Sequence, residues 1–206
     1  MIFLPLRQKN TKALAPHRIG LLNNFEERFQ QIFDRLCAED FSTGLTLICP
    51  LIDGAGKKLY GIKKPGERFK RVLSDNNDFL YWMLSSGMMI MAEGADLVFS
   101  REGKGNINLG QSIYKLVRNS LLHEAELSDE IEFVDEGRFG ADSGKIVFPK
   151  SLIWALAFML CYLECYKDDC PKAYQLSISG VPMPLQGVWG DKEKIKDFFA
   201  REIFKR

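Results

Sequence analysis

Residues 131–149 read IEFVDEGRFGADSGKIVFP, and this stretch decides how much sheet the chain is expected to hold. Two apolar runs, Ile131 to Val134 and Lys145 to Phe148, flank a segment rich in Gly and Asp. Short apolar runs bounded by turn formers read as strands, so one β-hairpin with a long loop is expected here. Most of the chain around it reads as helix. On the C-terminal side, Ser151 to Tyr166 contains the run LIWALAFMLCYL, which suits a helix buried on all sides. That run falls well short of the roughly 20 apolar residues that span a bilayer, so no membrane partner is expected. A strand at YQLSIS and a Pro/Gly loop at GVPMPLQGVWG follow. In the last helix, Asp191 is the cap and Ile195, Phe198, Phe199 and Ile203 form the apolar stripe.

Toward the N-terminus, DLVFSREGKG reads as a short strand entering a turn, and a helix is expected to start near Leu109 or Gln111. Asp75 or Asn77 is placed to cap a core helix over DFLYWMLSSGMMIMAEGA, after a helical turn at Gly66 to Leu73. Thr43 to Tyr60 carries Pro50, Gly54 and Gly56, which predicts a broken helix. Asn24 stands three residues before Glu27 as in a capping box, and Phe25, Phe29, Ile32, Phe33 and Leu36 share one face of the helix that follows. With residues 1–20 read as a loosely ordered lead-in, residues 1–206 form a single domain. The expected fold is mainly α, a helical bundle with a small β-hairpin appendage at 131–148.

Lys plus Arg number 28 and Asp plus Glu 27, so no global field advertises a nucleic-acid partner and RNA binding must come from a local patch. GKKLYGIKKPGERFKR supplies one: Lys57, Lys58, Lys63, Lys64, Arg68, Lys70 and Arg71 stand against Glu67 alone. Such a run also suits a solvated surface turn. Asp53, inside an apolar run, needs a partner if buried, and Lys57 or Arg68 is in range to supply it. The five cysteines, Cys37, Cys49, Cys161, Cys165 and Cys170, are an odd number that favours reduced thiols and a cytoplasmic setting. Cys161 and Cys165 lie in an apolar helix with no His nearby in sequence, which reads as core and not as a metal site. No P-loop or zincin spacing occurs, and no cofactor is expected.

The chemistry concentrates in LVRNSLLHEAEL, residues 116–127, where Arg118, Asn119 and His123 share one helical span. At 100° per residue, with Arg118 at zero, Asn119 falls at about 100° and His123 at about 140°, opposite Tyr114, Val117 and Leu121. Asn119 and His123 are i,i+4 neighbours, so the amide is placed to fix the imidazole tautomer. The long Arg118 guanidinium can converge with His123 on a phosphate. The alternative is structural: His123 favouring the helix C-terminus and Arg118 pairing with Glu124 or Glu126.

Arg118, four intervening residues and His123, with Asn119 directly after the Arg, resemble the signature of HEPN domains (higher eukaryotes and prokaryotes nucleotide-binding). The likeness covers Gln111 to Tyr166 best. It implies an all-helical homodimer whose two motifs face one cleft and act as a metal-independent endoribonuclease, in phage defence or beside an antitoxin partner. His123 would then be general base or acid on the ribose 2′-OH, Arg118 would stabilise phosphate charge, and Asn119 would orient both. The family also contains binding-only members, and a non-catalytic protein-interaction module with a structural Arg/His motif stands as the alternative.

Overall fold

The computed structural model describes residues 25–89, 95–101, 103–123, 126–135 and 138–205. The lead-in at 1–20 and the Asn24 cap lie outside them. Four helices come first: α1 (Phe25–Cys37), α2 (Phe41–Tyr60), α3 (Pro65–Ser74) and α4 (Asn77–Leu84). Strands β1 (Val98–Arg101) and β2 (Gly105–Asn108) precede a helical run made of α5 (Leu109–Ser112), a π-helical segment (Ile113–Asn119) and α6 (Ser120–His123). Then come β3 (Ile131–Val134), β4 (Gly140–Asp142), β5 (Lys145–Pro149), α7 (Ser151–Tyr162) and a 3-10 turn (Glu164–Tyr166). The chain closes with β6 (Leu176–Ile178), β7 (Val181–Met183), α8 (Leu185–Val188), α9 (Lys192–Phe198) and a second π segment (Phe199–Ile203).

Among the described residues helix predominates at 56%, but seven strands in three small sheets make the fold mixed α/β, which corrects the expected bundle with one hairpin. β1 pairs antiparallel with β2, and β6 with β7. In the third sheet β5 is central, parallel to β3 and antiparallel to β4. The expected 131–148 hairpin is therefore a three-stranded sheet, with the tight turn at Ser143–Gly144. Both turn residues have positive φ, 48° and 81°. That is the geometry whose twist matches paired strands. Ser179–Gly180 repeats it between β6 and β7, at 51° and 81°. Sequence reading missed β2, β4 and β7 because GNIN, GAD and VPM are short and poor in the branched and aromatic residues that mark strands.

One contiguous core runs from Phe29 in α1 to Phe204 at the chain's end. α7 is its axis: Leu152, Ile153 and every residue from Ala155 to Cys161 are buried. Each fully buried Phe, such as Phe29, Phe33 and Phe158, contributes roughly 1.5–3 kcal/mol through burial. α1 presents Phe29, Ile32, Phe33 and Leu36 to that core. Asp191 caps α9, its Oδ1 accepting from the Glu193 and Lys194 N–H groups at 3.1 Å each.

The expected break in α2 does not occur; Pro50 lies within a continuous helix. Its glycines are places of close approach, not turns. A Cβ on Gly44 would lie 2.7 Å from Leu36 Cδ2, and one on Gly56 would lie 2.6 Å from the Arg68 carbonyl oxygen. α4 is shorter than expected, ending at Leu84 before a turn in which Gly87 takes φ +80°. No helix among the described residues is long and apolar enough to cross a membrane.

Candidate functional site

The run from Leu109 to His123 begins with a reciprocal cap. Asn108 Oδ1 accepts the Gln111 N–H at 2.8 Å, and Gln111 Oε1 accepts the Asn108 N–H at 3.1 Å. Ile113 to Asn119 then widens into π-helix before α geometry resumes at Ser120. π segments are rare and recur at functional sites, because the register slip re-aims the side chains that follow. Ile113, Leu116, Val117 and Leu121 face the core, while Tyr114, Arg118 and Asn119 are half-buried and Lys115 and His123 exposed.

Arg118 is held from two sides. Its Nη1 donates to Asn119 Oδ1 at 2.9 Å, and its guanidinium lies 5.4 Å from the Tyr114 ring centroid. Tyr114 in turn packs on Phe69 at 5.6 Å, in space left open by Gly66, where a Cβ would approach the ring to 2.8 Å. Among the described residues no carboxylate pairs with Arg118, Glu126 included; Glu124 lies outside them. The Cys49 thiol is pushed up to about 12 by burial, against the opposing pull of the Arg118 charge.

His123 ends α6, where a cationic side chain complements the helix dipole. The expected amide–imidazole bond is not made: the Asn119 carbonyl is occupied by Arg118, and no hydrogen bond joins His123 to either residue among the described ones. The structure thus unites Arg118 with Asn119 and leaves His123 exposed on the next turn.

The basic stretch is less free than its composition implies. Arg68 is the partner that Asp53 needs: Nε donates to Oδ1 at 2.9 Å and Nη2 bonds Oδ2, both side chains being largely buried. Lys64 pairs with Glu67 at 3.0 Å and Arg71 with Asp75 at 2.9 Å. Lys58 sits 4.2 Å from the Phe25 ring centroid and 4.7 Å from that of Tyr166. Lys57, Lys63 and Lys70 have no ion pair among the described residues, so the unneutralised charge on this stretch is smaller than seven cations.

A cleft of about 360 Å³ lies between α3 and the start of the α5 run, lined by Lys70, Arg71, Asp96, Asn108, Gly110 and Gln111 among others. Asp96 is fixed by Tyr81, whose hydroxyl donates to Oδ1 at 2.6 Å and accepts the Leu97 N–H at 2.9 Å. Sequence reading passed over this group. It placed the helix start near Leu109 or Gln111 without the Asn108 cap, and nothing marked Asp96. No cluster of three metal-ligating side chains occurs among the described residues.

A family model described as Rv1289 matches residues 25–206, and the chain belongs to that family. No curated protein and no solved structure matches it.

Proposed function

We propose that this member of the Rv1289 family acts on RNA as a metal-independent endoribonuclease, with HEPN-type Arg/His chemistry. The observation that carries the proposal is Arg118. Its guanidinium is braced by Asn119 and Tyr114, has no carboxylate partner among the described residues, and precedes an exposed imidazole by five positions on one helical run. His123 is exposed, as an imidazole that meets a substrate must be, and no hydrogen bond ties it to Arg118 or Asn119 among the described residues. The three small sheets set this scaffold apart from an all-helical bundle, so the proposal concerns the chemistry and not the fold.

His123 Nδ1 or Nε2 takes the proton of a ribose 2′-OH, and O2′ attacks the adjacent phosphorus. The P–O5′ bond breaks, leaving a 2′,3′-cyclic phosphate and a 5′-OH that receives a proton. Arg118 offsets the negative charge that builds on the non-bridging oxygens. One chain brings one such His, so a homodimer supplies the proton donor through the second copy's His123. The need for a 2′-OH makes RNA the substrate. The working place is the cytoplasm, where the five thiols stay reduced. The same proposal puts the protein in defence or growth control, with an antitoxin as the kind of partner that would hold it in check.

The test is cleavage of a labelled structured RNA in excess EDTA by wild type, His123→Ala and Arg118→Ala proteins that melt alike. Cuts ending in 2′,3′-cyclic phosphate are expected, slowed about 10²-fold or more in each variant. Wild-type protein that leaves RNAs of several types intact overturns the proposal.

A further inference from the structure

Arg118 and His123 leave unused the cleft between α3 and the start of the α5 run. We infer that this cleft is a guanine subsite, one that reads a base of the RNA strand whose backbone meets Arg118. Its place on a strand rests on the RNA proposal above; its chemistry comes from the lining alone.

The reciprocal cap fixes both carboxamides. Asn108 and Gln111 each spend the carbonyl oxygen on a backbone N–H, so each turns its NH2 group away from the backbone and both residues line the cleft. Two amide donors therefore have a set orientation. Asp96 lines the same space; the Tyr81 hydroxyl takes one lone pair of Oδ1, which leaves Oδ2 and the second lone pair of Oδ1 to accept from two neighbouring donors. Among RNA bases, guanine alone presents two adjacent N–H donors, at N1 and N2, beside the O6 acceptor. A carboxylate facing N1 and N2, with an amide NH2 facing O6, matches that edge. Adenine offers a single amino donor beside an acceptor, and uracil and cytosine each present one donor group. Lys70, half-buried and without an ion pair among the described residues, brings positive charge to the same cleft for the attached phosphate. The volume, about 360 Å³, is within the range of small-molecule sites.

The cleft and Arg118 also share one side of the helical run. Gln111 and Lys70 line the same cleft, Tyr114 packs on Gly66 and Phe69 of the same α3, and Arg118 lies over Tyr114. Gln111 and Arg118 are roughly 10 Å apart along the axis, the reach of a short piece of strand.

The experiment is titration of the full chain with GMP, AMP, CMP and UMP, followed by amide shifts in NMR. GMP is expected to bind about tenfold tighter than the others, the discrimination a bidentate base contact gives. Gln111→Glu keeps the cap, since Glu at that position also accepts from the Asn108 N–H. It replaces a donor by an anion and should weaken GMP about tenfold with an unchanged melting temperature. Asp96→Asn keeps an acceptor for Tyr81 and should bring the GMP to AMP ratio toward one. Equal binding of the four nucleotides, or GMP affinity unaltered in Gln111→Glu, overturns the subsite. A wild-type protein inert toward RNA that still prefers GMP overturns the nuclease proposal and leaves the subsite standing.

Discussion

Replacing Gly56 by Ala sets two known effects against each other in the middle of α2. Helix propensity favours Ala over Gly by about 1 kcal/mol, so on local grounds the variant should be more stable. The new Cβ, however, would lie 2.6 Å from the Arg68 carbonyl oxygen and 2.9 Å from Arg68 Cβ. It falls short of ordinary van der Waals contact by roughly 0.8 Å, and the obstacle is backbone that α3 holds in place. Overpacking of this kind costs about 1–3 kcal/mol, and a rigid obstacle puts it at the upper end. α2 and α3 must also part at the level where Arg68 bonds Asp53, so the pair loosens with them. The net expectation is destabilisation by about 2 kcal/mol, read as a lower urea midpoint at constant m. Gly54→Ala is the control. Its Cβ would meet only the Tyr166 hydroxyl, at 3.3 Å, so the propensity gain should survive in part. A Gly56→Ala protein as stable as wild type would show that the α2–α3 approach is not the reason for glycine there.

Three other outcomes follow from the same packing. Tyr81→Phe removes the hydroxyl that Asp96 and the Leu97 N–H share; it should cost about 1–3 kcal/mol in urea unfolding and weaken GMP binding, and an unchanged midpoint would refute it. Burial raises the Asp78 carboxyl, but the hydrogen bond and charge of Lys192, with Lys196 behind it, outweigh that and hold it below its usual range. Its stabilisation is thus present above the ordinary carboxylate value of about 4 and lost as pH falls through the lower folded value, so the gap between wild type and Asp78→Asn should close in acid melts. Cys49 and Cys161 are buried with thiols pushed up by desolvation, so a thiol reagent at neutral pH should leave both unmodified until denaturant is added; their modification in the native protein would contradict the packing.

The parts of the fold that were legible in the sequence are those whose signal is local and repeated. The stripe of α1, the unbroken apolar run of α7 and the Asp191 cap of α9 each announce an element by spacing alone. α2 was misread because a glycine that admits a neighbour looks, in sequence, like one that bends the chain; only the position of Leu36 or Arg68 tells them apart. The third sheet was compressed to a hairpin because β4 is three residues, Gly140 to Asp142, with no branched side chain. At the site, residue types gave Arg118, Asn119 and His123. They did not give the partners, because the Asn119 carbonyl oxygen that an α-helical wheel offers to His123 is taken by Arg118. Asp96 was illegible since its neighbour Tyr81 is fifteen positions away.

That π segment also has a consequence for how the run tolerates length change. A π turn holds one residue more than the α turn it replaces. Removing a single exposed position such as Lys115 would let residues 109 to 123 close as continuous α-helix with little shift of either end. Only residues inside the widened turn would be re-indexed, while His123 beyond it would keep its place relative to the Asn108–Gln111 cap. The extra residue thus works as a spacer in the reading frame of the helix. Among homologous chains, gain or loss of one residue here would change what the run presents while leaving what it supports.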